Sequence, residues 1–193
     1  MTTWFLIVAL IPLLVVTGII YTQRVHSIKE EAFHKLTAIR DLKAQQVKAW
    51  LLERTGDIKA ITEDYEVRLV ETKGHRNNGA QHTIVIRKLL ERYLVNYQEY
   101  HEIFILNPLT GIIEISTNQI HEGEDKSENI YFTEPLRTRN PFINDIYFSK
   151  TLAEPSMTFS TPIFCLEHDG EHVVGILVAR IDLKHSLYAL LLN

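Results

Sequence analysis

The chain has 193 residues, of which 46% are hydrophobic and 23% are charged, and its formal net charge is −4 at pH 7. A soluble part of this composition can bury one hydrophobic core, and it lacks the excess of Lys and Arg that is typical of nucleic-acid-binding proteins, so we expect no nucleic-acid partner. The lone Cys165 cannot form an internal disulfide, and its apolar neighbours in TPIFCL indicate a core position.

An uncharged apolar run, TWFLIVALIPLLVVTGIIYT, occupies residues 3–22. At a rise of about 1.5 Å per residue, a helix of roughly 20 residues covers about 30 Å, the thickness of the hydrocarbon core of a bilayer. The alternatives are a cleaved signal peptide and a buried core helix. No Lys or Arg precedes the run, and Tyr21 and Thr22 make a poor cleavage site. The sequence therefore favours an uncleaved membrane anchor over residues 1–22.

A helical period continues after this run. Between Val25 and Ile61 apolar residues recur with a helical period, for example at Val25, Ile28, Ala32, Leu36 and Ile39, and charged residues lie between them. The pattern predicts one helix of roughly 40 residues that ends near Tyr65. Such a helix is not stable alone, so its apolar stripe must pack on a globular body and, near the membrane, on a second copy of itself. We therefore expect a homodimer.

The remaining segments alternate between helix and strand patterns. KGHRNNGAQ at 73–81 is typical of a loop, and a second helix is predicted from about 81 to 98. Further along, the patterns predict a hairpin of two strands, a short helix, three more strands and a closing helix, at 102–106, 112–116, about 131–138, 142–148, 157–164, 173–181 and from Leu183 on. The nearly continuous apolar run at 173–181 indicates a central strand. The predicted fold class is α+β, with a five-stranded antiparallel sheet and flanking helices.

Several of these segments, in their order and spacing, resemble a known family. They are LKAQQVKAWLLERTGDIKAI, IFILNPLTGIIEIST, NIYFTEPLRTRNPFINDIYFS, TFSTPIF and DGEHVVGILVARIDLKHSLYALL. Together they are similar to the Cache sensor domains, PAS-like extracytoplasmic modules of histidine kinases, chemoreceptors and cyclic-nucleotide enzymes. The resemblance covers roughly residues 22–192, and it implies a long first helix followed by a PAS-like sheet.

The resemblance also implies a domain organisation. Residues 1–22 would be the anchor, 23–101 the long helix, loop and second helix, and 102–193 the membrane-distal lobe of a double Cache domain. A second lobe, a second membrane span and an output module such as a kinase or cyclase would lie beyond this chain. The alternatives are a truncated receptor and a single-lobe Cache domain, whose second span would follow Asn193. The family places the lobe outside the cytoplasm. The basic residues near the run, Arg24, Lys29 and Lys35, all follow it and favour the opposite orientation.

The resemblance implies that the ligand is a small metabolite such as an amino acid, a carboxylate or an amine. It would be held between the sheet on one side and the loop and helix before the third strand on the other. Carried over residue by residue, the ligand-binding candidates are Tyr131, Phe132, Asp145, Tyr147, Ser149 and Ser160. Aromatic rings would wall the pocket and Asp145 would pair with a ligand ammonium group. The alternative is that the aromatic residues belong only to the core.

The amino-acid-binding branch of the family has an Arg and a Trp, two residues apart, just before the short helix. This chain has DKSENIYF there, with neither residue, so an amino acid is not the preferred ligand. Lys126 is the remaining positive charge in that stretch, and its acidic surroundings favour a solvated side chain.

No metal, cofactor or enzymatic site is predicted. His168 and His172 are four residues apart, but Asp169 and Gly170 between them indicate a hairpin turn, where this spacing has no meaning for zinc. Three other histidines are expected to be exposed in loops: His75, His82 and His121. The sequence has no Gly-rich phosphate loop and no acidic pair suited to acid–base catalysis.

The prediction for function is a membrane-anchored sensory domain. It would bind a small extracytoplasmic ligand and relay the event through its first helix, as part of a signal-transduction receptor. The alternative is a structural module that binds no ligand and serves as a dimerisation spacer.

Overall fold

A computed structural model describes residues 2–64, 67, 80–97, 99–149, 152–165 and 172–192. The chain divides into two compact units, residues 1–46 and residues 47–193. Within the described ranges we number four helices and five strands in chain order. They are α1 (Thr2–Glu63), α2 (Ala80–Asn96), β1 (Tyr100–Leu106), β2 (Ile113–Ser116), α3 (Ile130–Thr138), β3 (Phe142–Ser149), β4 (Glu154–Phe164), β5 (Val173–Ile181) and α4 (Leu187–Leu192). A 3-10 turn, Gln119–His121, follows β2.

The first unit is the N-terminal part of α1. Where its side chains are described, large apolar residues are exposed, and they include Ile28, Phe33, Leu36, Ile39 and Leu42. In the described part of the chain, none of the helices combines the length and the apolar character that a membrane crossing requires. The anchor predicted at 1–22 falls mainly on residues whose side chains lie outside that part, so it stays a prediction.

The second unit is built on one antiparallel sheet with strand order β2-β1-β5-β4-β3. The nearly continuous apolar run of β5 lies between β1 and β4, which confirms that it is the central strand. A β-bulge interrupts the pairing of β3 with β4 between Asn144 and Tyr147. Bulges place two residues of one strand opposite one residue of the other and re-aim the side chains beyond them.

Each face of the sheet has its own hydrophobic core. On one face, Trp50 and Ile58 of α1 and Ile86 and Leu90 of α2 pack with Phe159 of β4 and its neighbours. The rings of Trp50 and Phe159 meet edge to face at 6.0 Å. On the other face, the short helix α3 covers a smaller cluster that includes Phe104, Tyr131, Phe132, Ile176 and Val178. Two layers thus cover the sheet, and the smaller one forms the site below.

The predicted α+β fold is confirmed, and the predicted strands and helices all appear. The described ends differ from the predicted ones by a few residues, because capping and edge residues carry weak signals. Cys165 is buried, as its apolar neighbours predict. The predicted loop at 73–81 and the turn at 167–172 lie largely outside the described residues.

Candidate functional site

A cavity of about 470 Å³ opens on the α3 side of the sheet. Its lining comes from the loop before α3, from α3 itself, from the end of β3 and from the middle of the sheet: Asp125, Lys126, Ser127, Glu128, Asn129, Tyr131, Tyr147, Phe148, Ser149 and Arg180. A cavity of this size suits a small metabolite, because ligand pockets of proteins typically measure roughly 300–1,000 Å³.

The loop wall of the cavity is held by the β1–β2 turn. The Lys126 N–H donates to the Gly111 carbonyl at 2.9 Å, and Ile112 forms a bridge with Asp125. Gly111 has a φ of 73°, and a Cβ placed on it would lie 2.5 Å from the Cα of Ser127. Only glycine permits both the left-handed backbone and this close approach. The turn residue therefore fixes the position of the loop that lines the cavity.

Two tyrosines form an aromatic wall. Tyr131 of α3 and Tyr147 of β3 have ring centroids 6.5 Å apart, and Tyr131 also packs edge to face on Phe104. Burial raises the pKa of the Tyr131 hydroxyl well above its usual range, so this hydroxyl is neutral at any physiological pH. Phe148 is 66% exposed and adds an aromatic ring to the lining.

A buried ion pair lies at the sheet end of the cavity. Arg180 of β5 is 2% exposed, and its Nη1 donates to Glu102 Oε2 of β1 at 2.6 Å. The guanidinium also lies 5.3 Å from the centre of the Phe104 ring. A guanidinium held on several sides keeps one position, because its planar fork of donors loses little freedom on binding.

Glu102 in turn binds groups from the loop after β2. Its Oε1 accepts from Ser116 Oγ at 2.6 Å and lies 2.8 Å from His121 Nδ1. His121 is buried, so its predicted exposure is wrong. The 3-10 turn Gln119–His121 places the His121 side chain inside the protein, where it contacts Glu102. The sequence around His121 gives no sign of this contact, because Glu102 is on a different strand.

The structure brings three of the six predicted ligand-binding residues to the cavity: Tyr131, Tyr147 and Ser149. The other three do not line it. Phe132 packs in the smaller core, and Ser160 is buried beside β3, where its hydroxyl is 3.4 Å from the Phe142 carbonyl. Asp145 lies in the β3 bulge, where it is exposed and accepts the N–H of Ile146 at 2.7 Å. The prediction assumed that side chains alternate between the two faces along β3, and the bulge interrupts this alternation.

Sequence reasoning missed Arg180 and Phe148. A signal existed for Arg180, because a lone charge inside the apolar run VVGILVARI must find a buried partner. The prediction for Lys126 is also wrong, since its side chain is only 13% exposed and its Nζ lies 2.7 Å from Glu124 Oε2. The acidic neighbours that suggested a solvated lysine thus include Glu124, which instead pairs with the lysine in a largely buried position.

Other concavities are less suited to a ligand. One of about 320 Å³ lies beside Lys59, Arg139 and Phe164, and another of about 560 Å³ lies beside Arg54, Tyr97 and His185. Neither is lined by any of the six residues that the family resemblance predicts as ligand contacts. Among the residues that the structure describes, His, Cys, Asp and Glu side chains form no group of three or more that could hold a metal ion.

No protein-family model matches the sequence, and no curated protein matches it either. Solved structures do match. The sensor domain of the Vibrio cholerae histidine kinase DctB is 15% identical, with a TM-score of 0.64, over 78% of this chain and 55% of that one. The sensory domain of the Campylobacter jejuni chemoreceptor Tlp3 with isoleucine bound is 17% identical, with a TM-score of 0.66, over 85% and 64%.

The ligand-binding domain of the Pseudomonas aeruginosa amino acid chemoreceptor PctC in complex with GABA is 16% identical, with a TM-score of 0.60, over 82% of this chain and 63% of that one. This chain thus spans 55 to 64% of the length of the three structures. The matched domains are sensor or ligand-binding domains, not catalytic ones. The chain shares the fold of these domains, and this is the α+β, PAS-like fold that the sequence predicts.

Proposed function

We propose that the chain is the ligand-sensing part of a membrane receptor and binds a small molecule in the cavity beneath α3. The observation that carries this proposal is the 470 Å³ cavity itself, with aromatic rings of Tyr131, Tyr147 and Phe148 on its walls and buried Arg180 at the sheet. A few convergent polar groups in a cavity that also has aromatic walls are typical of a metabolite site. Tyr131, Tyr147 and Ser149 are the proposed ligand contacts retained from the sequence.

The signal would leave the cavity through the sheet and α1. On the face of the sheet opposite the cavity, Trp50 of α1 contacts Phe159 of β4. Arg54 Nη1 of α1 also lies 2.5 Å from Glu99 Oε2, just before β1. A ligand that prefers one of two packings of α1 on the sheet shifts the population toward it. Displacements of roughly 1–2 Å at helix interfaces are sufficient for such switching.

Attachment to a membrane, extracytoplasmic location and dimerisation are further parts of the proposal. The apolar run at 3–22 would be a single anchor, and the Cache-type fold favours a domain outside the cytoplasm. Exposed apolar residues on the first part of α1, such as Leu36 and Ile39, would be covered by a second copy of the chain. The same exposed residues support the rival function, a dimerisation spacer that binds no ligand.

A thermal-shift screen of the full chain against a metabolite library separates the two functions. We expect at least one compound to raise the melting temperature, because binding to the folded state alone stabilises it. Phe148→Ala should weaken that shift at little cost to stability, since Phe148 is 66% exposed and lines the cavity. Ile143→Ala is the matched control, on the same strand but away from the lining. A screen without hits would contradict ligand sensing and favour the spacer.

A further inference from the structure

Arg87 of α2 binds the segment that follows edge strand β2. Its Nη2 donates to both carboxylate oxygens of Glu122, at 2.7 and 2.9 Å, and its Nε donates to the Ser116 carbonyl at 3.3 Å. The side chains of Arg87 and Glu122 are only 15% and 24% exposed. Because hydrogen bonds between charged partners are strong and little water screens this pair, the contact fixes both side chains in place.

Glu122 stands where the loop wall of the cavity begins. Its Oε1 also accepts the Ser116 N–H at 2.8 Å. The next residue, Gly123, donates its N–H to the Ile113 carbonyl of β2 at 2.9 Å, so the chain continues beside the edge strand. Residues 125–129 then line the cavity. The ion pair with Arg87 therefore holds the near end of the cavity wall.

Ser116 joins the same arginine to the buried ion pair of the cavity. Its carbonyl accepts from Arg87, and its hydroxyl donates to Glu102 Oε1 at 2.6 Å. The other oxygen of Glu102 accepts from Arg180 Nη1, and Arg180 lines the cavity. Two parts of the cavity, the loop wall and the buried guanidinium, are thus connected to Arg87 by short series of hydrogen bonds. Neighbouring bonds in such a series strengthen one another.

Arg87 itself belongs to the layer on the other face of the sheet. Its helix neighbours Ile86 and Leu90 pack in the larger core with α1, whereas α3 covers the smaller core beside the cavity. The connection between the layers runs around the sheet edge at β2. Further along α2, the Tyr93 hydroxyl donates to Asp64, which follows α1. Helix α2 therefore contacts both the cavity wall and the end of α1.

We propose that Arg87 is a positioning residue of the cavity. It holds the loop wall and Arg180 in the geometry that binds a ligand, and it makes α2 respond when a ligand binds. The inference rests on the proposed binding role of the cavity. Coupling between two sites is reciprocal, so a ligand that orders the loop wall also favours one position of α2. The end of α1 is then reached around the sheet edge as well as through the sheet.

Hydrogen exchange of the full chain tests the positioning role without a ligand. Arg87→Met removes three hydrogen bonds and the charge but keeps an unbranched side chain of similar length. The amide protons of Gly123 and Lys126, which hold the loop to β2 and to the β1–β2 turn, should exchange about tenfold faster. Amides of the β4–β5 ladder should not change, whereas loss of a merely structural contact would accelerate them too.

Lys88→Met is the matched control. It removes a positive charge from the adjacent position of α2, which is exposed, and should leave the exchange of the loop unchanged. Glu122→Gln keeps an acceptor for the Ser116 N–H and removes only the charge, so it should give a smaller change at the same amides. Unchanged loop exchange in Arg87→Met, or equal changes in Arg87→Met and Lys88→Met, would overturn the inference.

A second measurement uses the compound that gives the largest thermal shift in the metabolite screen. Its binding should slow the exchange of α2 amides in the unmodified chain. In Arg87→Met its affinity should fall about tenfold and the response of α2 should disappear. An unchanged response of α2 would overturn the coupling. A screen without hits would overturn the proposed function, and the exchange of the free chain would still decide whether Arg87 holds the loop wall.

Discussion

Glu102 is the residue on which the buried polar groups of the lobe depend. It binds Arg180 through one carboxylate oxygen and Ser116 and His121 through the other. A buried ion pair is costly to break, because removal of one partner leaves the other charge without compensation. The position of Arg180 at the cavity therefore depends on an acid that does not itself line the cavity.

Glu102→Gln tests this dependence. The substitution keeps the size of the side chain but leaves the Arg180 guanidinium without a counter-charge, so the free energy of unfolding should fall by about 3–5 kcal/mol. Urea unfolding followed by circular dichroism measures it. Glu114→Gln, an exposed acid on β2, should change stability by less than about 0.5 kcal/mol. Similar losses for the two variants would show that the buried pair has no special importance.

Gly111→Ala tests how the loop wall is held. Alanine at a φ of 73° is strained, and its Cβ would lie 2.5 Å from Ser127 Cα. Gly123→Ala is the control, since its φ of 85° has the same strain but nothing lies within 4 Å. We expect the control to lose about 1–2 kcal/mol of stability. Gly111→Ala should lose clearly more and also weaken ligand binding; equal losses would contradict the close approach.

At the scale of elements, a polar contact joins α2 to Asp64, the residue that follows α1. The Tyr93 hydroxyl donates to Asp64 Oδ2 at 2.5 Å. Burial, together with the hydrogen bond to Asp64, raises the pKa of Tyr93 from 10.0 to about 12. The folded state thus favours the neutral phenol, and this contribution to stability is complete below pH 10 and lost as the pH rises toward about 12.

Tyr93→Phe should therefore reduce the loss of stability between pH 10 and pH 12. Urea unfolding at several pH values in this range measures the slope. The remaining slope belongs to Tyr100 and Tyr131, whose pKa values are also raised by burial. Tyr97→Phe is the control, because it keeps the two ring contacts of Tyr97, which stacks on Tyr93 at 6.3 Å and meets Tyr100 edge to face at 6.0 Å. An unchanged slope in Tyr93→Phe would mean that the contact with Asp64 is not made in solution.

The elements also show which parts of the fold are predictable from sequence. The helix and strand periods were sufficient to predict all five strands and the central position of β5. A nearly continuous apolar run such as VVGILVARI must be buried on both faces, and this is typical of a central strand. The bulge in β3 was not predictable, since its extra residue leaves no mark in the apolar pattern of FINDIYFS. That single irregularity removed Asp145 from the site. Arg180 was missed because its role depends on a partner 78 positions away.

At the scale of the whole molecule, the proposed dimer makes a separate prediction. Ile39→Glu introduces a charge into the exposed apolar stripe of α1 and should shift the full chain in detergent from dimer to monomer in sedimentation experiments. Thr37→Glu, on the opposite side of the same helix, should leave the dimer intact. A monomeric unmodified chain, or dissociation by both variants, would contradict dimerisation through this stripe.

The cavity beneath α3 is tested most directly by a crystal structure of the chain with the tightest-binding compound of the metabolite screen. We predict ligand density between α3 and the sheet, in contact with Tyr131 and Tyr147. A cavity filled by the chain's own side chains, or a ligand bound elsewhere on the molecule, would contradict the sensory function.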